Sequence, residues 1–254
     1  MEIFIYVIIC IFGCIMGSFL NVLAVRLSNG ESILWPSSHC HSCTHRLRWY
    51  ELIPVISYVI QGGKSRCCKT IIPVSYLVVE VVTAVLYMVS YHSFGFSYDY
   101  IISLIFISSL IVVIVSDIEY MIILDEVIAS SSILIILLQL VFFGLDYTAN
   151  QIIAGILAFG SMFMVKLIGD RLFHKESMGG GDIKLMFFFG IVLGYALSIC
   201  DIFLATFIAF PVAIYVLFSR KDNLIPFGPF LAMGAILIHI SKVDFKSIIE
   251  FLIK

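Results

Sequence analysis

The sequence predicts an all-α polytopic membrane protein, with about eight transmembrane helices and one small cysteine-rich loop domain outside the bilayer. Three observations carry that expectation. Of 254 residues, 61% are hydrophobic and only 13% charged, against roughly half and a quarter in soluble domains. Apolar runs near the roughly 17–25 residues that cross a hydrocarbon core recur along the chain. One long polar stretch, 26–70, interrupts them. A formal net charge of −2 argues against a nucleic-acid partner, which leaves membrane lipid as the expected surrounding.

The helices are expected at 3–25, 71–91, 100–117, 124–144, 150–168, 183–199, 202–218 and 224–241. The first is too long for a signal-peptide core, opens on Glu2 rather than a basic leader, and shows no small-residue cleavage site. It is expected to remain as a membrane helix. Two runs, 100–117 and 202–218, are short and carry Asp117 and Asp201 at their ends. With the N-terminus outside, twelve of the fifteen cationic residues, from Arg26 to Lys221, fall on inner connections. Lys242, Lys246 and Lys254 alone lie outside. This asymmetry predicts both termini outside and the polar loop in the cytoplasm.

Three parts follow: a first membrane helix (1–25), a zinc-binding loop domain (26–70) and a membrane core (71–254). The tail 242–254 reads as a short amphipathic helix at the outer surface, and no internal repeat is visible.

Cys40, Cys43, Cys67 and Cys68 sit in the loop, whereas Cys10, Cys14 and Cys200 lie in or beside apolar helices as inert thiols. On a reducing face the loop cysteines do not pair as disulfides. A C-x-x-C knuckle followed by a second cysteine pair about twenty residues on resembles a structural zinc site. Adjacent Cys67 and Cys68 reach one metal only with some backbone strain, so His39, His41 or His45 stands as a substitute ligand.

Ionisable groups in membrane helices are costly, and each is a functional candidate. Glu80 lies near the middle of the second helix, where a structural role orienting that helix is preferred. Asp117 closes the third helix in "VSDIEY", and Asp182 opens the sixth in "MGGGDIKL", with the base Lys184 beside it. Both aspartates are expected at one membrane face. Asp182 also fits a helix cap, as does Asp125 before "EVIA". Capping does not explain Asp117, because a helix C-terminus disfavours a carboxylate. Gly179, Gly180 and Gly181 let the backbone approach a neighbouring chain and leave space for an extended peptide and a water. Two converging carboxylates share one proton, since like charges at close range cannot both ionise. One then activates water while the other polarises a scissile carbonyl, which is aspartic protease chemistry at the membrane surface.

These segments resemble the type IV prepilin peptidases of bacteria. "GSFLNVLAVRL" (17–27), "ELIPVISYVIQGGKSRCCKTIIPVSYLVVE" (51–80), "SDIEYMIILD" (116–125), "MGGGDIKL" (178–185) and "IPFGPFLAMG" (225–234) are similar to the family's blocks in the same order. The resemblance implies that Asp117 and Asp182 are the catalytic pair, Gly179 to Asp182 forming the G-x-G-D signature. It further implies removal of leader peptides from prepilins or pseudopilins at the cytoplasmic face of the inner membrane. Methylation of the new N-terminal amine by S-adenosylmethionine would follow, with the cysteine loop tied to that second activity. The sequence departs from the family pattern in three places. Ser65 stands where the second cysteine pair usually begins, His41 replaces a proline, and Ile123-Leu124-Asp125 replaces Leu-Pro-Asp. A proton- or cation-coupled transporter is the competing class, since intramembrane acids also serve transport.

Overall fold

The computed structural model describes residues 2–33, 35, 37–40, 42–174, 178–218 and 225–243, with the side chain of residue 173 left aside. His41, and the expected tail helix from residue 244 on, lie outside the described residues. The helices are α1 (Glu2–Ser28), α2 (Ile56–Ile60), α3 (Val74–Phe94), α4 (Tyr98–Tyr120) and α5 (Asp125–Phe143), followed by α6 (Leu145–Phe173), α7 (Gly180–Leu193), α8 (Tyr195–Phe218) and α9 (Gly228–Ser241). A single 3-10 turn covers Trp49–Glu51. Among the described residues there is no extended strand, only two isolated bridges, and the all-α expectation is borne out.

The apolar helices differ in length. Among the described residues, six helices (α1, α3, α4, α5, α6 and α8) are long and apolar enough to cross a membrane. Helices α7 and α9 have 14 residues each, about 21 Å of rise against roughly 30 Å of hydrocarbon. The expected run 183–199 is cut at Gly194, whose φ of +82° ends α7, and α8 begins at Tyr195. Asp201 therefore lies inside α8, fully buried, rather than at a helix end. Helix α4 likewise continues one turn past Asp117, to a left-handed cap at Met121.

Two compact units divide the chain, Met1–Gly95 and Phe96–Lys254. In the first, α1 packs along α3 through small residues. A Cβ on Gly13 would stand 2.5 Å from the Ala84 Cα, and one on Gly17 would stand 2.8 Å from the Glu80 Cα. This is a G-x-x-x-G seam, in which the absent side chains let two backbones meet where lipid supplies no hydrophobic drive. Between α1 and α3, bridges His39–Arg46 and Lys64–Ile71 close two short hairpins that carry the cysteines, with the 3-10 turn and α2 between them.

In the second unit α4 is the most enclosed helix, with Phe106, Ile107, Leu110, Val112 and Val113 shut away from solvent. Phe106 rests against Phe188 of α7 at 5.2 Å between ring centroids. Gln139 of α5 donates to the Ile191 carbonyl at 3.0 Å, and Ser109 of α4 bonds Ser131 of α5 at 2.6 Å. Gly155 and Gly190 bring α6 and α7 into backbone contact. These contacts fix α7, and with it Asp182, against the bundle.

Candidate functional site

Asp117 and Asp182 are both in the second unit and both buried, at 6% and 8% exposure. They lie close enough for their charges to act on one another. Asp117 is on the last turn of α4 and Asp182 is the third residue of α7. Asp182 makes no side-chain cap: Gly179 holds the N-cap position and no side chain caps that end. Asp125 does not cap either. Leu124 is the N-cap of α5, and Asp125, its first helical residue, instead pairs with Lys184 at 2.5 Å across an exposed surface. Lys184 therefore points its charge at Asp125.

A third segment packs against the pair. The Gly228 backbone lies directly against the Asp117 carboxylate. A Cβ at Gly228 would stand 2.5 Å from Asp117 Oδ2 and 3.2 Å from Ile123 Cδ1. Ile123 also presses on Gly181, where a Cβ would come within 2.7 Å of its own Cβ. The three glycines of the signature are thus not equivalent. Gly181 is required by contact with Ile123, Gly180 faces nothing within 4 Å, and a Cβ on Gly179 would touch Asp182 Oδ2 at an ordinary 3.6 Å. The expected close approach to a neighbouring chain holds for Gly181 alone.

The four loop cysteines also converge, in the first unit. Their sulfurs all lie within 4.8 Å of one another. Cys43 to Cys67 is 3.1 Å, Cys40 to Cys68 is 3.5 Å and Cys67 to Cys68 is 3.8 Å. A zinc tetrahedron with bonds of about 2.3 Å has edges of about 3.8 Å, so the sulfurs fit one zinc ion after small adjustments. Among the described residues no histidine joins this cluster.

The backbone beneath it explains the irregular spacing. The Cys40 N–H donates to the His45 carbonyl and the Thr44 N–H to the Cys40 carbonyl, both at 2.9 Å. The second hairpin repeats these bonds from Ser65 to Thr70 (2.8 Å) and from Lys69 to Ser65 (3.0 Å). Bridges His39–Arg46 and Lys64–Ile71 close the two hairpins, and Thr44 and Lys69 share a positive φ. An internal repeat is therefore present after all, hidden because only Cys43 and Cys68 are the same residue type at matching positions. Ser65 occupies the place of Cys40, and Cys67 supplies the fourth sulfur from the next turn position. Neither Cys67 nor Cys68 needs a positive φ; that conformation falls on Lys69.

The thiols are strongly unequal. The Ser65 hydroxyl, ahead of the Ser42 and Cys43 backbone, pulls Cys40 down to about 5. Thr70 lowers Cys68, whereas a bond to Cys67 pushes Cys43 up to about 12.

Glu80 is 7% exposed, and its Oε2 accepts the Val55 N–H at 2.6 Å. Val55 has φ +62° and ψ −54°, with the Ile56 N–H bonded to the Pro54 carbonyl at 2.6 Å. This is a γ-turn of the rare, strained hand, on a β-branched residue. Sequence reasoning missed this turn, although "IPV" before a polar carboxylate-seeking backbone left no distinctive signal. It also missed Gly228, which "PFGPF" could have flagged, and the buried Asn21, which like Asp201 finds no hydrogen-bond partner among the described residues. Asp201 is pressed against Gly234 of α9.

Comparison with known proteins gives two family matches along the chain. Residues 11–94 match the Bacterial Peptidase A24 N-terminal domain, and residues 104–214 match the Type IV leader peptidase family. A prepilin leader peptidase/N-methyltransferase of Bacillus subtilis (strain 168) is 34% identical, over 97% of this chain and 97% of its own. The chain belongs to the prepilin leader peptidase/N-methyltransferase family. Relatives of the same name in Dichelobacter nodosus and Pseudomonas putida are 31% and 28% identical, each over 88% of this chain and 87% and 86% of their own. No solved structure gives a significant match. The boundary between the family's two matched parts falls where the two compact units divide.

Proposed function

We propose that this chain is a membrane aspartic endopeptidase that removes the leader peptides of type IV prepilins or pseudopilins and then methylates the new N-terminus. The observation that supports the first activity most directly is the buried aspartate pair flanked by the Gly228 backbone, in a chain of this family. Asp117 and Asp182 hold one proton between them. The ionised carboxylate takes a proton from water as its oxygen attacks the scissile carbonyl carbon, while the protonated one donates to the carbonyl oxygen. The tetrahedral intermediate then breaks its C–N bond, and the amine leaves with the proton gained by the first carboxylate. The Gly228 backbone, packed against both Asp117 and Ile123, limits where the Asp117 carboxylate can sit. Membership in a peptidase family does not favour the transporter alternative.

For the second activity, S-adenosylmethionine supplies the methyl group, which the new N-terminal nitrogen accepts while losing a proton. A zinc ion held by Cys40, Cys43, Cys67 and Cys68 would supply folding energy to a loop with little apolar core. The chain is read as a multi-pass protein of the bacterial inner membrane, both termini outside and the cysteine loop cytoplasmic, from its Lys and Arg distribution. Incubating the purified protein with a prepilin and weighing the products tests the whole reading. The expected result is loss of the leader mass, then gain of one methyl group when S-adenosylmethionine is added. An unprocessed substrate would refute it.

A further inference from the structure

The first unit encloses a cavity of about 430 Å³, walled by α1, both hairpins, α2 and the start of α3. That volume lies within the roughly 300–1,000 Å³ of small-molecule sites. Among the described residues Glu31, Glu51 and Glu80 line it, with Arg26 and His39 as the basic side chains of the wall. The Arg26 Nη1 is already committed to the Ser32 and Ile33 carbonyls at 3.1 and 3.0 Å.

Glu80 is the telling group. It is more than nine-tenths buried, it accepts the neutral Val55 N–H, and among the described residues no cationic side chain pairs with it. A buried carboxylate without a counter-charge is costly, and strained backbone such as the Val55 turn concentrates where a ligand is gripped. Glu80, which holds that turn, lines the cavity, whose wall also includes Cys40, Ser65 and Thr70 of the cysteine hairpins.

We propose that this cavity binds the methyl donor S-adenosylmethionine, with Glu80 as the counter-charge to its cationic groups. The proposal rests on the peptidase–methyltransferase reading above and adds the place and the residue. At neutral pH the donor carries a sulfonium and an ammonium against one carboxylate, so an acidic lining suits it and disfavours phosphate-bearing ligands. The wall shared with the cysteines makes the metal site a support for this pocket.

The test uses purified full-length protein and calorimetric titration with S-adenosylmethionine and with its uncharged-sulfur product, S-adenosylhomocysteine. Glu80→Gln keeps an acceptor for the Val55 N–H and removes only the charge. It is expected to weaken S-adenosylmethionine at least tenfold and the product distinctly less. Ser57→Trp and Gln61→Trp, each filling the cavity from α2 or just after it, are expected to abolish binding of both at unchanged zinc content. In parallel, radiolabelled S-adenosylmethionine is photo-crosslinked to the wild type and the adduct is mapped, which needs no variant to fold. An adduct within 18–80 supports the site. An adduct confined to 96–254, or wild-type binding by both tryptophan variants, overturns it while methylation itself stands. A wild type that cleaves prepilin but neither binds nor transfers a methyl group would overturn the methyltransferase reading, and this proposal with it.

Discussion

Alanine at Gly228 would put a methyl carbon 2.5 Å from Asp117 Oδ2, where ordinary contact begins near 3.4 Å. The same carbon meets Ile123 Cδ1 at 3.2 Å, so it cannot relieve the clash by leaning the other way. Asp117 must therefore retreat by about 0.9 Å or turn off its rotamer. A misplacement of about 1 Å in a catalytic group costs on the order of 10²-fold in rate. Overpacking by one methyl destabilises by about 1–3 kcal/mol, which a bundle of this size tolerates. Gly228→Ala is thus expected to lower the initial rate of leader removal about a hundredfold, read as product appearance on a gel. The melting temperature in detergent should fall by only a few degrees. Gly180→Ala, whose Cβ finds nothing within 4 Å, should lose far less. Near-normal cleavage by Gly228→Ala would refute the placement of α9 against Asp117.

Asp117→Asn and Asp182→Asn should each abolish cleavage in protein that still inserts and retains its zinc, whereas Asp125→Asn should cut largely as wild type. The Asp125–Lys184 pair is exposed, so Lys184→Met should shift stability by less than about 1 kcal/mol in a melting assay. Cys67→Ser should lower zinc content by elemental analysis, and adding Ser65→Cys should restore it, because Ser65 occupies the ligand position matching Cys40. Zinc affinity in competition with a chelator should rise from pH 6 to pH 8. Binding needs four thiolates, and Cys43, pushed up to about 12, must give up its proton while Cys40, at about 5, already has. Affinity flat across that range would argue against the four-sulfur site.

The membrane helices were readable because span length and apolar composition are local properties, as in α1, α3, α4, α5, α6 and α8. The shortness of α7 and α9 was harder to see. Gly194 and the "PFGP" start interrupt apolar runs that hydropathy alone joins together. The aspartates stood out for the same reason the helices did, as rare charges in apolar surroundings. Their partners did not, since Gly228 lies more than a hundred residues from Asp117 and carries no side chain to announce a role.

By itself, the sequence determined the helical class, the membrane setting, the two aspartates and the four candidate sulfurs. Each of these depends on residue type, hydropathy or short spacing along one segment. Only the tertiary structure decided which glycine of the signature touches a neighbour and that Asp125 binds Lys184 instead of capping. It likewise decided that Cys67 stands in for a cysteine at Ser65, and that Glu80 holds the Val55 turn. Those are contacts between segments far apart in the chain. Their energies depend on distance in space, through close packing and hydrogen-bond geometry, and one-dimensional spacing does not encode that distance.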